Sequence, residues 1–125
     1  MSHFTTIATQ VRDIEALRQA CEEMGLQLVK DATARGYNQN STPGEYVIRL
    51  KGPYDIAVNS QPGGSFGMTA DWWDGHVEKV VGPNYGRLLQ LYAVHKASRE
   101  ARNKGYSVRR QALANGSIRL CIEGV

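Results

Sequence analysis

Ser65-Phe66-Gly67-Met68-Thr69-Ala70-Asp71-Trp72-Trp73 decides the fold. Phe66, Met68, Ala70 and Trp72 recur at every second position and share one face, while Thr69, Asp71 and Trp73 share the other. Period two with apolar residues on one side describes a half-buried strand, and it sends one tryptophan into the core and its neighbour away from it. Pro62-Gly63-Gly64 stands just upstream. Although Gly64-Ser65-Phe66-Gly67 is glycine-rich, it lacks a Lys-Ser/Thr pair and leads into a strand, so it reads as a hairpin turn and not as a phosphate cradle. Further upstream lie two more extended segments, Glu45 to Lys51 and Tyr54 to Asn59, parted by Gly52-Pro53. Connections this short join antiparallel neighbours.

Working outward, residues 32–44 form the longest segment without regular period, including Arg35-Gly36-Tyr37-Asn38-Gln39-Asn40. A polar loop of this length in a small domain is either functional or loosely ordered. Before it, Leu26 to Lys30 reads as a strand. A helix precedes that strand: Asp13 is its N-cap, Ile14, Leu17, Cys21 and Met24 make its apolar stripe, and Gly25 stops it. Residues 3–10 are rich in β-branched and aromatic side chains and predict an opening strand. On the other side, Gly82-Pro83-Asn84 introduces a long helix over 84–103, ended by Gly105. The chain closes with a hairpin, Tyr106 to Leu113 and Ser117 to Glu123, turning at Asn115-Gly116 with Ile118, Leu120 and Ile122 inward. The order β-α-β-β-β-β-α-β-β predicts one α+β domain over residues 1–125: an antiparallel sheet with two helices on one face, a ferredoxin-like variant.

Composition supports a soluble globular chain: 42% hydrophobic and 22% charged over 125 residues, with no apolar run of membrane-spanning length. The first residues lack a secretory leader, which predicts a cytoplasmic or stromal location. Cys21 and Cys121 lie far apart with no metal spacing and read as reduced residues. The net charge of +3 hides an asymmetry. The excess of Lys and Arg lies after residue 83, in Lys96, Arg99, Arg102, Lys104, Arg109, Arg110 and Arg119. Such a surface serves an anionic partner such as RNA, or it complements the acidic N-terminal half of the same chain.

Two constellations carry chemistry. The first is Asp71-Trp72-Trp73-Asp74-Gly75-His76. An acid beside His76 can orient an imidazole for general-base work or metal ligation, and an exposed Trp73 offers a stacking platform. The structural alternative is a strand end where Trp72 fills the core, Trp73 covers an edge and Asp74-Gly75 turns the chain. In the second, Leu88, Tyr92, His95 and Arg99 fall on one helical stripe that leads from core to polar surroundings. If the sheet brought His76 near His95, the two would share a site. Arg109 and Arg110 are adjacent on a strand and face opposite sides, so at most one joins any patch.

Several long blocks add a resemblance: Met1-Ser2-His3-Phe4-Thr5-Thr6-Ile7, Glu45 through Ile56, Ala70-Asp71-Trp72-Trp73 and Leu88 through Ala97. The chain resembles a family of small uncharacterised proteins of cyanobacteria and red-algal plastids, a conserved chloroplast open reading frame. The resemblance implies a protein of a photosynthetic cell and no particular activity. Its pattern often has Gly where this chain has Asp74, so a mechanism based on Asp74 does not generalise.

Three functional readings follow. The first is an accessory or adaptor domain that binds a protein partner or small ligand through Trp73, His76, Tyr92 or the basic surface. The second is an enzyme or metal protein built on Asp71, Asp74, His76 and His95. The third is RNA binding through Arg99, Arg102, Arg109 and Arg110. No cofactor, bound metal or membrane partner is expected, and a homodimer would cover the open sheet.

Overall fold

The computed structural model describes residues 3–124; Met1, Ser2 and Val125, part of the expected domain, lie outside the described residues. The chain runs β1 (Phe4–Ala8), α1 (Ile14–Glu23), β2 (Gln27–Arg35), β3 (Ser41–Arg49), β4 (Asp55–Ser60), β5 (Phe66–Asp71), a short α2 (Glu78–Val81), α3 (Gly86–Asn103), β6 (Ser107–Ala112) and β7 (Ile118–Glu123). Apart from α2, this is the element order that the sequence predicts, and the fold is α+β. Helix α1 begins where the N-cap reading puts it: the Asp13 carboxylate accepts the Ala16 N–H at 3.1 Å.

Strands β1–β5 form one antiparallel sheet in the order β1-β5-β4-β3-β2. Because every pairing is antiparallel, β1 and β2 run the same way, joined over one face by α1. This is the split β-α-β unit of a ferredoxin-like fold, with three strands inserted between its halves. The final hairpin differs from expectation: among the described residues β6 and β7 pair only with each other. Ile118 and Leu120 are half-buried and Ile122 is 48% exposed, so the hairpin has no fully buried face.

The core lies between α1, α3 and one face of the sheet. Leu17, Ala20 and Cys21 of α1 and Leu88, Leu91 and Tyr92 of α3 pack with Ile48, Ile56, Val58, Met68 and Ala70. Cys21 is a free thiol, pushed up to about 12 by burial and by the nearby Glu22, and Cys121 is also free. Trp72 packs on this core, 4.8 Å edge-on from Tyr85, while Trp73 is 43% exposed. The two tryptophans thus divide as the alternation predicts, although the strand ends at Asp71 and Trp73 opens a short helical turn.

The largest correction concerns residues 32–44, read as irregular. They are mostly strand. β2 and β3 continue as a nine-residue pair to Arg35 and Ser41, with only a short turn at Tyr37–Gln39 between them. The ribbon bends where Asp31 takes a left-handed φ of 52°. Gly44 lies opposite this bend, and any Cβ there would collide with the Tyr46 carbonyl and crowd Val47 and Ala57. Beyond the bend the ribbon lies over the sheet face that the helices leave open, and Ala34, Val47 and Ala57 form a second, small apolar cluster beneath it.

Candidate functional site

A ribbon laid over a sheet brings backbone N–H groups into a place water does not reach, and each needs an acceptor. Two buried carboxylates supply them. Asp55, at the start of β4, accepts the Arg35 backbone N–H at 2.9 Å, the Arg35 guanidinium through both oxygens at 2.8 and 2.9 Å, and Arg49 Nη1 at 3.0 Å. Burial opposes its ionisation. The Arg35 guanidinium and backbone, together with Arg49, outweigh that cost and hold its carboxyl below the ordinary value. Arg35 Nη2 also reaches the Gly52 carbonyl at 3.1 Å, which ties the β3–β4 turn to the folded-over end of the β2–β3 ribbon, the strap.

Asp71, at the end of β5, is the second anchor. Its Oδ2 accepts the Tyr37 N–H at 3.1 Å and its Oδ1 the Trp73 N–H at 3.0 Å. One carboxylate thereby fixes two separate segments against each other. Between these anchors Gly36 is pressed on β1: a Cβ there would stand 2.6 Å from the Phe4 ring. The result is a paired surface, with the Tyr37 and Trp73 rings 4.8 Å apart and 37% and 43% exposed.

Around that pair the chain is wound into left-handed turns, with positive φ at Asn38, Gln39 and Asp74. Such backbone is uncommon for residues other than glycine, least so for Asn and Asp. Asp74 sits where glycine would be free of strain, and its side chain is 65% exposed. His76 follows. Its ring is 5.0 Å from Tyr54 and 6.1 Å from Trp73, and its Nε2 lies 3.7 Å from Asp74 Oδ2. Its Nδ1 is enclosed and has no hydrogen-bond partner among the described residues. Tyr54 is buried; burial first, then Asp71, Tyr37 and Asp74, raise its hydroxyl above the ordinary value, so it stays protonated at neutral pH. Beside Tyr54 a cleft of about 460 Å³ opens beneath the strap, edged by Arg35, Asn38, Asn40 and Pro53.

His95 belongs elsewhere. On α3 its Nε2 hydrogen-bonds Glu23 Oε1 at 2.7 Å, and Arg110 from β6 reaches Glu23 Oε2 at 2.8 Å. Burial works against the Glu23 carboxylate, but the Arg110 and His95 hydrogen bonds prevail and keep it below the ordinary value. Tyr92 and Arg99 also turn toward α1. The Tyr92 hydroxyl accepts the Arg12 and Asp13 N–H groups at 3.0 and 3.2 Å, and Arg99 pairs with the Asp13 carboxylate. The stripe of Tyr92, His95 and Arg99 therefore clamps α3 to both ends of α1, beside an open cleft of about 540 Å³ that also includes Arg102. His76 and His95 have different neighbours on different elements and share none. Among the described residues no group of three His, Cys, Asp or Glu stands close enough to hold a metal.

The basic set is divided in the same way. Arg99 and Arg110 are bound to acids of the N-terminal half, Arg102 and Arg109 are exposed, and Arg109 and Arg110 lie on opposite faces of the hairpin. Sequence reading did not single out Arg35 or Asp55, and it offered Tyr37 only as an aromatic that could stack if it faced solvent. The available signal was an acid, Asp55, directly before the apolar run Ile56-Ala57-Val58.

Residues 20–121 match the family described as Protein of unknown function (DUF1257), and the chain belongs to that family. A relative makes the link to plastids that the sequence blocks pointed to. The chain is 28% identical over 125 residues to the uncharacterized protein ycf35 of Guillardia theta, a conserved plastid reading frame; the alignment covers 98% of this chain and 97% of the relative. No solved structure matches. Among the described residues no helix is long and apolar enough to cross a membrane.

Proposed function

We propose that the protein is a small accessory domain that binds a protein partner through the Tyr37–Trp73 surface, in the cytosol or plastid stroma of a photosynthetic cell. One observation carries this reading: two exposed aromatic rings from segments 36 residues apart in sequence are set side by side by a single buried carboxylate. Exposed tyrosine and tryptophan on a fixed backbone are what interface anchors consist of, because they offer large contact area at low entropic cost. The left-handed turns at Asn38, Gln39 and Asp74 agree with it, since uncommon backbone collects at working sites.

The catalytic reading has less support. Both oxygens of Asp71 already accept backbone N–H groups, which leaves it a positioning role. The RNA reading loses Arg99 and Arg110 to internal ion pairs. A small ligand in the cleft beside Tyr54 is the second reading, favoured by the polar edge of Arg35, Asn38 and Asn40, with His76 packed against the Tyr54 ring. The test is affinity capture from a photosynthetic lysate with wild type, Trp73→Ala and His76→Ala, with proteins and small molecules both analysed. Stoichiometric protein retained by wild type and lost with Trp73→Ala supports the proposal. Identical proteins captured by wild type and Trp73→Ala contradict it, and a small molecule lost with His76→Ala replaces it with the second reading.

A further inference from the structure

Among the described residues the exposed large apolar side chains fall into two patches, Tyr37 with Trp73 and Tyr106 with Ile122. The charges beside them differ. Glu100 and Lys104 flank Tyr106 and Ile122, so that patch carries both signs and prefers neither. Beside Tyr37 and Trp73 the balance is negative. Asp71 holds the backbone of both residues, and Asp74 follows Trp73 directly with its side chain exposed. Among the described residues the ionic neighbour of Asp74 is the His76 ring, 3.7 Å away and beyond hydrogen-bond distance. Arg35, at the edge of the adjoining cleft, is already held by both oxygens of Asp55 and by the Gly52 carbonyl. The Tyr54 hydroxyl reports the same balance: after burial, Asp71, Tyr37 and Asp74 are what oppose its ionisation.

Aromatic chemistry narrows what fits there. The face of an indole or phenol ring carries partial negative charge and attracts a cation within about 6 Å of its centre, indole most strongly. The Tyr37 and Trp73 rings stand 4.8 Å apart and are tilted by 56°, so neither lies flat over the other and both keep exposed surface. Asp74 places a carboxylate at the next position of the chain, in the turn that Trp73 opens, at a left-handed φ of 57°. A cation at this surface therefore meets a ring and an acid together. Arginine suits that pair better than lysine, because its planar guanidinium stacks on an aromatic face while its N–H groups fork to a carboxylate.

We propose that the partner bound at the Tyr37–Trp73 surface inserts an arginine side chain, stacked on Trp73 and hydrogen-bonded to Asp74. This rests on the partner-binding reading and adds the chemistry of the contact. An acidic partner side chain would be repelled by Asp74, and an apolar one would bury that carboxylate without a counter-charge. The receiving surface is already ordered. Asp71 accepts the Tyr37 and Trp73 N–H groups at 3.1 and 3.0 Å, so little backbone freedom remains to be lost when the arginine docks.

The test is an NMR titration of the full chain with the acetylated, amidated tripeptide Gly-Arg-Gly, following backbone and indole N–H resonances. Trp72, packed on the core, is the internal reference. The Trp73 indole N–H should shift saturably while that of Trp72 stays in place. The same tripeptide with neutral citrulline for arginine should bind about fivefold or more weakly, and the lysine tripeptide more weakly than the arginine one. Asp74→Asn, which keeps a residue suited to left-handed backbone, should weaken the arginine peptide about threefold. Trp73→Ala should abolish the peptide's effect on the Tyr37 N–H. A Trp73 resonance that does not respond overturns the inference, as does equal affinity for the citrulline or lysine peptide, or an Asp74→Asn variant that binds like wild type. Capture from a photosynthetic lysate separates the two levels of the account. A protein that needs Trp73 but is captured equally by Asp74→Asn overturns the arginine contact and leaves the partner surface standing. Proteins captured alike by wild type and Trp73→Ala overturn the partner reading itself, and the partner's arginine with it.

Discussion

One face of the five-stranded sheet is covered by helices and the other by the chain's own β2–β3 ribbon, and the two are held by different forces. On the helix side, fully buried Leu17, Ile48, Ile56, Met68 and Leu88 meet one another. Apolar burial does the work, at roughly 25 cal/mol per Å² removed from water. On the ribbon side the apolar cluster amounts to Ala34, Val47 and Ala57 with Ala32 beside it. Asp55 and Asp71, 0% and 1% exposed, fasten the rest by accepting backbone and guanidinium N–H groups. Helices satisfy their own backbone and ask the sheet only for apolar contact. A folded-over ribbon end does not, so it needs buried acceptors, and those acceptors can in turn fix exposed groups such as the Tyr37 and Trp73 rings.

The sharpest way to break this contrast is to injure each face separately. Leu17→Ala leaves a cavity under α1 and should cost about 3 kcal/mol or more of global stability, measured by chemical denaturation. Asp55→Asn should cost about 2 kcal/mol by the same measurement, because Arg35 and Arg49 keep part of their solvation when the carboxylate loses its charge. Near-ultraviolet circular dichroism should distinguish the two, with the Asp55 variant losing aromatic signal from the strap while α1 and α3 retain far-ultraviolet intensity.

Acid sharpens the contrast further. The Asp55 carboxyl lies below its ordinary 3.8 in the folded chain, so the unfolded chain binds that proton more tightly. The stabilisation is present above pH 3.8 and is lost as pH falls through the lower folded value. Glu23, also held below its ordinary 4.5, adds a loss that starts from a higher pH. Unfolding free energy should therefore decline as pH drops below these values, and Asp55→Asn should flatten the lower part of that decline. The smallest effect belongs to Trp73→Ala. An exposed ring at this position should change stability by less than about 1 kcal/mol while removing partner capture.

The helix face was legible in the sequence and the strap face was not, for one physical reason. Period two in Phe66–Trp72 and the Ile14-Leu17-Cys21-Met24 stripe report directly on which side chains leave water. Tyr92, His95 and Arg99 could likewise be placed on one stripe, although the sequence did not show that they face Asp13 and Glu23 of α1. Ribbon residues 32–44 carry little apolar signal, because what covers them and what they cover is backbone, alanine and carboxylate. Their strand character comes from pairing with each other and from Asp55, twenty residues from Arg35. At the candidate site, Trp73 was legible as exposed and Asp71 as its neighbour. Tyr37 was hidden, because its contact with Trp73 depends on the ribbon bending at Asp31. The closing hairpin was read correctly as a pair of strands, yet its inward face was overstated: Ile122 meets solvent because the pair never joins the sheet.

The central claim is that Asp71 holds the strap and the Trp73 turn together as one surface. Residue-resolved amide hydrogen exchange on wild type and Asp71→Asn tests it most directly. The account predicts slow exchange at Tyr37 and Trp73 in wild type, accelerated together in the variant, with α1 and α3 amides unchanged. Tyr37 and Trp73 amides that exchange freely in wild type, or that keep their protection in Asp71→Asn, would contradict it.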